Sequence, residues 1–499
     1  MQKITAVLPK INTYGFLAIY LAVLVLIVYK AATVPITHDE VGTAVYYSDF
    51  SVWEIIQYPD SSPNNHPLNS ILTGYSKLLF GLDLWVVRLP NILAFIAFSF
   101  GAFRILRSIL TKTSTFFIPG ALLFVASPFM LDFFGVCRGY GLSLGFMLLS
   151  ASYLITGFKN LNRKHIWWAL ILSMLATYAN FTLLVYLACA NVFILFFFIL
   201  QYRLEKKILL KPILLQVFSN VLFIALIGSA LYKIHSTDQF IYWTSNGFIQ
   251  ETIKPLISAS LYGSRIFLSV DFITYFTLSL LAVNFIYIIV RFIRSGYDLQ
   301  EFRKPIYIAT LIVLVAAFIN IAQCWIFNIP NLTGRTALFF YPLFILALIS
   351  SHELFSGIKT YIFKITIAVV VTFFCAHHVI HIHNLKKVRE WFYDENTHSV
   401  LDYLDENRNG KKVSLATNWL FNPSFSFYTH TEISEWLYLH PYDKEIEPNS
   451  EAEYYFILGT DYPMLEDNFD IVIQYETGNW LLKRKDQDDQ GVNEPGVVD

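Results

Sequence analysis

Eleven predominantly apolar runs, each about 20 residues long, recur between residues 13 and 383. They cover 13–34, 85–106, 115–136, 139–158, 165–180, 181–201, 208–233, 272–296, 305–328, 336–352 and 361–383. Wound as a helix at 1.5 Å per residue, such a run spans roughly the 30 Å hydrocarbon layer of a bilayer. Inside lipid the backbone must satisfy its own polar groups, so runs of this length read as helices. The expected fold is a polytopic α-helical membrane protein. Only 15% of the 499 residues are charged, against about 25% in soluble domains. The first run has no small-residue cleavage site and is expected to stay as a span. Cys137, Cys189, Cys324 and Cys375 stand singly in apolar stretches, which argues against a disulfide scaffold or a cysteine zinc site. A net charge of -1 gives no basic field for nucleic acid.

Charge placement orients the runs. With the N-terminus inside, 18 lysines and arginines fall on one side and 8 on the other before residue 384. The positive-inside rule makes the first side cytoplasmic. Eleven spans then leave the C-terminal segment outside, as in a multi-pass protein of a bacterial inner membrane. The acids divide the other way. Asp39, Glu40, Asp49, Glu54, Asp60, Asp83, Asp132, Asp238, Glu251 and Asp271 fall outside, and none lies in the middle of a run. An ion-coupled transporter usually carries ionisable groups near the midplane, so chemistry at the outer face is favoured.

Residues 1–383 are therefore expected to form the transmembrane domain, with long outer loops at 35–84 and 234–271. From about residue 384 the apolar runs shorten and charge rises. Lys412–Thr417, Tyr454–Gly459, Asp470–Tyr475 and Trp480–Lys483 read as strands, and Asn396–Glu406 as a helix. Residues 384–485 are expected to be a small α/β extracytoplasmic domain. The acidic tail 486–499 has the composition of a disordered segment.

Several polar residues gather at the outer ends of the runs. Thr37-His38-Asp39-Glu40 follows the first. A carboxylate there can serve as a general base toward a hydroxyl; equally, Asp and Glu suit the first turn of a helix. Asn64-Asn65-His66-Pro67-Leu68 precedes an amphipathic stretch, where Pro67 suits a helix start and His66 can meet a phosphate or a metal, or simply be solvated. Arg88, in Arg88-Leu89-Pro90, opens the second run. Arg138-Gly139-Tyr140 precedes the fourth, and Arg335 opens the tenth. Arginine makes forked, charge-assisted bonds to phosphate, although a single interfacial arginine more often snorkels. His377, His378, His381 and His383 crowd the end of the last run; with no carboxylate close by in sequence, they read as interfacial histidines rather than a metal site.

The order span, Asp-Glu, His-Pro-Leu, Gly, Arg-Leu-Pro, Arg-Gly-Tyr resembles the GT-C membrane glycosyltransferases of the protein O-mannosyltransferase and lipid A aminoarabinose transferase type. The specific part lies in the first 140 residues. The resemblance implies a polyprenyl-phosphate sugar donor and transfer on the external face to an acceptor in a lipid, glycan or protein. It also implies Asp39 as the catalytic acidic residue with Glu40 as its neighbour, and Arg88, Arg138, Arg335, His66 and Tyr140 around the lipid phosphate. The sequence departs from the aminoarabinose-type pattern at Asn65, where that pattern has a glutamate that is a candidate metal ligand. A divalent metal is therefore left open, and no other cofactor is implied. Two other classes remain: a lipid or sugar transporter or flippase, and a glycan ligase or polymerase with a diphosphate-linked donor.

Overall fold

The computed structural model describes residues 2–236, 246–261, 269–355, 361–382, 384–442, 446 and 451–485. The chain divides into two compact units: residues 1–32 with 46–385, and residues 33–45 with 386–499.

The first unit is helical. Among the described residues, eight helices are long and apolar enough to cross a membrane: Val7–Thr33, Leu84–Ile109, Tyr140–Asn160, Phe181–Glu205, Leu210–His235, Val270–Arg294, Pro305–Phe327 and Ile362–Ile380. This is fewer than the eleven expected, and the reasons are local. The run 115–136 is not one helix: it breaks into Phe117–Phe124 and Pro128–Asp132. Pro128 has no N–H to continue a ladder, and Ser127 caps the new helix by accepting from the Met130 N–H at 3.2 Å. The run 165–180 forms a helix of 17 residues, Arg163–Ala179, stopped where the Asn180 side chain accepts from the Thr182 N–H. The run 336–352 becomes a single turn at Gly334–Ala337 followed by Phe340–Ser350.

Small residues set the closest helix approach. A Cβ at Gly101 or Gly145 would run into the backbone of the facing helix, at Leu148–Leu149 or Ala94. Glycine there lets Leu84–Ile109 and Tyr140–Asn160 pack backbone to backbone, the usual device where lipid supplies no hydrophobic drive between helices. Arg104 reinforces the contact through Ser152 Oγ at 3.2 Å and Thr156 Oγ1 at 3.0 Å. Charged side chains tie helices of the unit together: Glu301 bonds Arg291 at 2.7 Å and Lys304 at 2.5 Å, and Glu353 bonds Arg291 at 2.7 Å. The outward faces of several helices, including Leu17, Leu21, Val25, Phe276, Ile286 and Phe373, are exposed and apolar, as a lipid-facing surface requires.

The second unit holds a five-stranded sheet: β1 (Val413–Thr417), β2 (Leu437–Leu439), β3 (Tyr454–Leu458), β4 (Phe469–Gln474) and β5 (Asn479–Arg484), in the order β2-β1-β3-β5-β4. β1 pairs in parallel with β2 and β3, while β5 runs antiparallel to β3 and β4. Four strands lie within a residue or so of the short apolar runs that read as strands, and Thr397–Asn407 matches the expected helix to one residue. The short strand β2 and the helix Asn422–Tyr428 have no comparable signal. The helix lies in the crossover that a parallel β1–β2 pair demands. Ala416, Tyr455, Ile457, Leu465, Phe469 and Leu482 form the core of one sheet face.

Candidate functional site

The polar cluster of the first unit is assembled from three chain segments. The helix Val52–Gln57 ends on Tyr58 in the left-handed conformation (φ 60°). That residue is buried, and its hydroxyl donates to the carbonyls of Ser62 at 2.8 Å and Asn65 at 3.2 Å. These bonds fold the turn 59–65 back on itself and deliver Asn65 and His66 to the start of the helix Pro67–Phe80. Arg138 ties the second segment to the first, donating from Nη1 to the Asn64 carbonyl at 3.0 Å. Tyr140 meets the His66 ring edge-on, with centroids 5.3 Å apart. The third segment is the end of Arg163–Ala179: the His66 ring is hydrogen-bonded to the backbone of Ala179. Gly139 makes this closeness possible, because a Cβ there would collide with the Ala179 carbonyl and the His66 ring.

The electrostatics of His66 follow from this packing. Burial, then the Arg138 guanidinium, then that of Arg335 hold its imidazole well below the ordinary histidine range, against the opposing pull of the Ala179 hydrogen bond. His66 is thus neutral at pH 7. Its Nε2 is buried and makes no hydrogen bond with the described residues; neither do Asn65 Nδ2, Tyr178 OH and Asn180 Nδ2. Buried polar groups normally find partners. His66, the adjoining Asn65 and the arginines give the cluster polar groups that an oxygen-rich anionic ligand would satisfy.

Arg88 is fully buried. It sits just inside the helix Leu84–Ile109, which Asp83 caps by accepting from the Leu84 N–H at 2.6 Å. Its Nη1 donates to the Ala31 carbonyl at 3.1 Å, near the end of the first long helix. Beside it, Asn91 donates to Asn69 at 2.7 Å and accepts from the Leu142 N–H at 3.0 Å. Lys30 and Asp132 form a buried ion pair at 2.5 Å.

Asp39 and Glu40 belong to the second unit. They lie on a one-turn helix, His38–Val41. Glu40 is buried, and its carboxylate accepts from the Thr37 N–H at 2.9 Å, closing its own turn. Of the pair, then, Glu40 is occupied as a cap, and Asp39 is partly exposed. The turn is anchored by C-terminal residues. The His38 N–H donates to Asp394 Oδ2 at 2.8 Å, the His38 ring bonds the Leu420 carbonyl at 2.8 Å, and the Ile36 N–H donates to the Tyr428 hydroxyl at 3.2 Å. Asp394 also accepts from Ser424 Oγ at 2.6 Å. Burial is the largest influence on its carboxyl, and the nearby charges of Glu40 and Asp39 add to it. Against the bonds from Ser424 and His38, they push its pKa up to about 8.

Of the residues singled out from sequence, His66, Arg138, Tyr140 and Arg335 are brought together, Arg88 is held in the same unit, and Asp39 and Glu40 share one turn of the other. Sequence reasoning missed Tyr58, Asn180 and Asp394. Only Asn180, a polar break between two apolar runs, leaves a visible mark. His377 and His378 lie on one helix, where His378 bonds the Ser260 carbonyl at 2.9 Å; His383 lies outside the described residues, as does the tail 486–499. Among the described residues, no group of three or more His, Cys, Asp and Glu is arranged to hold a metal ion. The donor chemistry at 65–66 does not fit a resident cation either: Asn65 offers an amide, and His66 already sits in the field of two arginines.

No protein-family model matches the chain, and no curated protein matches it. Solved structures do. ArnT from Cupriavidus metallidurans in the apo state aligns at a TM-score of 0.48 and 11% identity, over 94% of this chain and 98% of that one. The same protein bound to undecaprenyl phosphate gives the same score and identity. The archaeal oligosaccharyltransferase AglB from Archaeoglobus fulgidus, in complex with an inhibitory peptide and a dolichol-phosphate, aligns at 0.43 and 10% identity, over 97% of this chain and 75% of that one.

The first unit also holds an apolar cavity of about 610 Å³ among the helices Val270–Arg294, Phe340–Ser350 and Tyr361–Ile382. Phe276, Leu280, Phe344, Leu348, Val371 and Phe374 are among its lining residues. It shares no residue with the His66 cluster and suits a hydrocarbon chain rather than a sugar.

Proposed function

We propose that this chain is an integral membrane glycosyltransferase. It moves a sugar from a polyprenyl-phosphate-linked donor to an acceptor hydroxyl at the extracytoplasmic face, with inversion. The observation that carries the reading is the buried cluster around His66: Arg138 and Arg335 acting on a neutral imidazole, with Tyr140 against it and unsatisfied polar atoms on His66 and the adjoining Asn65. Such a cluster is costly unless an anion rich in oxygen completes it.

The chemistry is a direct displacement. The acceptor oxygen forms a bond to the anomeric carbon as the bond from that carbon to the phosphate oxygen breaks. The electron pair leaves with the lipid phosphate, where arginines stabilise the growing charge. The acceptor proton passes to Asp39, the general base. Glu40 closes the turn that carries Asp39. Arg88, Arg138 and Arg335 bind the phosphate, and His66 and Tyr140 orient it. The apolar cavity is a berth for a lipid chain. The N-terminus is assigned to the cytoplasm and the second unit to the outside.

The test is mass spectrometry of lipid-linked sugars and envelope glycans in cells with the protein, without it, and with Asp39→Asn. One polyprenyl-phosphate sugar should accumulate in the last two. A folded Asp39→Asn protein that transfers sugar at the wild-type rate would sink the assignment of the base. Accumulation of a diphosphate-linked oligosaccharide instead would point to a ligase or polymerase.

A further inference from the structure

The turn carrying Asp39 is built from residues near the N-terminus, yet its anchors come from residues more than 350 positions later. The His38–Val41 turn is only 4 residues long. So short a helix cannot hold its own shape, since nucleation costs more than one turn returns. Its placement depends on its partners. The Tyr428 hydroxyl holds Ile36 on one flank and is itself bonded to His398 Nε2 at 2.6 Å. The Leu420 carbonyl holds the His38 ring, which also meets Trp419 edge-on at 5.9 Å. Asp394 grips the backbone within the turn, directly before Asp39. Its other oxygen is fixed by Ser424, and its own carbonyl accepts from Thr397 Oγ1 at 3.0 Å.

We propose that Asp394 is a positioning residue for the reaction, setting the orientation of Asp39 by holding the His38 N–H, so that the C-terminal unit acts as part of the catalytic apparatus rather than as an appended domain. The proposal rests on the reading of Asp39 as the base. Its logic is economical in charge. A third carboxylate beside Asp39 and Glu40 would repel both if ionised. Glu395, next in sequence, is already paired with Lys387 at 2.7 Å. The proton that burial keeps on Asp394 leaves an acceptor for His38 without adding a charge next to the base. A hydrogen-bonded protonated carboxyl in a buried site is the stable alternative to an unpaired charge.

The test uses full-length protein in detergent or nanodiscs and three chains: wild type, Asp394→Asn and Asp394→Ala. Asparagine keeps a carbonyl acceptor for the His38 N–H and places an amide beside Ser424 Oγ, where it can hydrogen-bond the hydroxyl without titrating; alanine loses both contacts. Hydrogen exchange is read first, because it needs no substrate. Alanine should raise exchange in peptides covering 36–41 at least tenfold and leave the sheet unchanged, and asparagine should stay near wild type. Steady-state transfer is read next. Alanine should lower kcat by about 10- to 100-fold, as a displaced base does, with KM for the lipid donor unchanged; asparagine should restore turnover to within a few-fold. Unchanged exchange in 36–41, exchange rising across the whole sheet, or asparagine as impaired as alanine would each overturn the proposal. Wild-type protein with no transferase activity would defeat the glycosyltransferase reading instead, and the exchange result would still decide whether Asp394 holds the turn.

Discussion

The protonation of Asp394 makes a quantitative statement about pH. Its carboxyl rises from 3.8 to about 8 on folding. A raised acid pKa means the folded state binds a proton that the unfolded chain has released, so stability is fully present below about pH 4 and falls as pH rises toward 8. Each unit of that window removes about 1.4 kcal/mol. The window as a whole sets a ceiling of roughly 6 kcal/mol, a large share of the 5–15 kcal/mol typical of a domain. Asp394→Asn removes the titration but keeps the bonds. The assay is hydrogen exchange of full-length protein at pH 5, 6, 7 and 8, corrected for intrinsic rates and read on amides of β1 and β3. Buried His440, whose imidazole burial holds below the ordinary range, tilts stability the other way, so the difference between the two chains is the quantity to read. Protection in wild type should fall relative to the variant by several-hundred-fold or more between pH 5 and 8. Parallel profiles would refute the reasoning, because they would mean that Asp394 is already ionised in the fold.

Other expectations follow from the first unit. Asp132→Asn strands the Lys30 ammonium in a buried site and should cost about 3–5 kcal/mol, while Lys30→Met with Asp132→Leu should recover much of it in chemical unfolding in detergent. Gly139→Ala should separate His66 from Ala179 and lower binding of a polyprenyl-phosphate analogue at least tenfold by isothermal titration calorimetry, with helix content unchanged by circular dichroism. An anion beside His66 should raise its pKa. Binding of a phosphomonoester should therefore strengthen from pH 8 to pH 6 more in wild type than in His66→Gln, a comparison that cancels the titration of the phosphate itself.

How legible this was from the residues depends on what each signal measures. Hydropathy sums composition over a window. It therefore finds Leu84–Ile109 and Val270–Arg294 to within three residues at each end, yet it passes over Pro128, where a missing N–H ends the ladder inside an apolar run. Short runs of apolar and aromatic residues find β3, which is buried on both faces, and β5, and miss β2, whose three residues are too few to stand out. The rim residues were legible because a charge among apolar residues is expensive, and so is rarely there without a reason. Arg138 stands out on that ground. Asp394 could not stand out, because it lies in a stretch already rich in charge, where one more acid carries no information.

The same contrast explains the assignment of residues 33–45. Read along the chain, they open a long loop of the membrane domain. In the structure they group with residues 386–499, because the partners of Ile36 and His38 are a tyrosine hydroxyl, a carboxyl and a backbone carbonyl, none of which leaves a periodic trace. A short turn with no core of its own takes its position from whichever surface satisfies its backbone, and that surface is invisible to any local pattern. For a base this matters more than for a binding group. An arginine tolerates some displacement, since its charge acts over several ångströms, but proton transfer needs heavy atoms within about 3 Å. The residue whose placement most affects the proposed chemistry is thus also the one whose placement is least written in its own neighbourhood, which is why a distant carboxyl that merely accepts one backbone hydrogen bond is the sharpest place to perturb it.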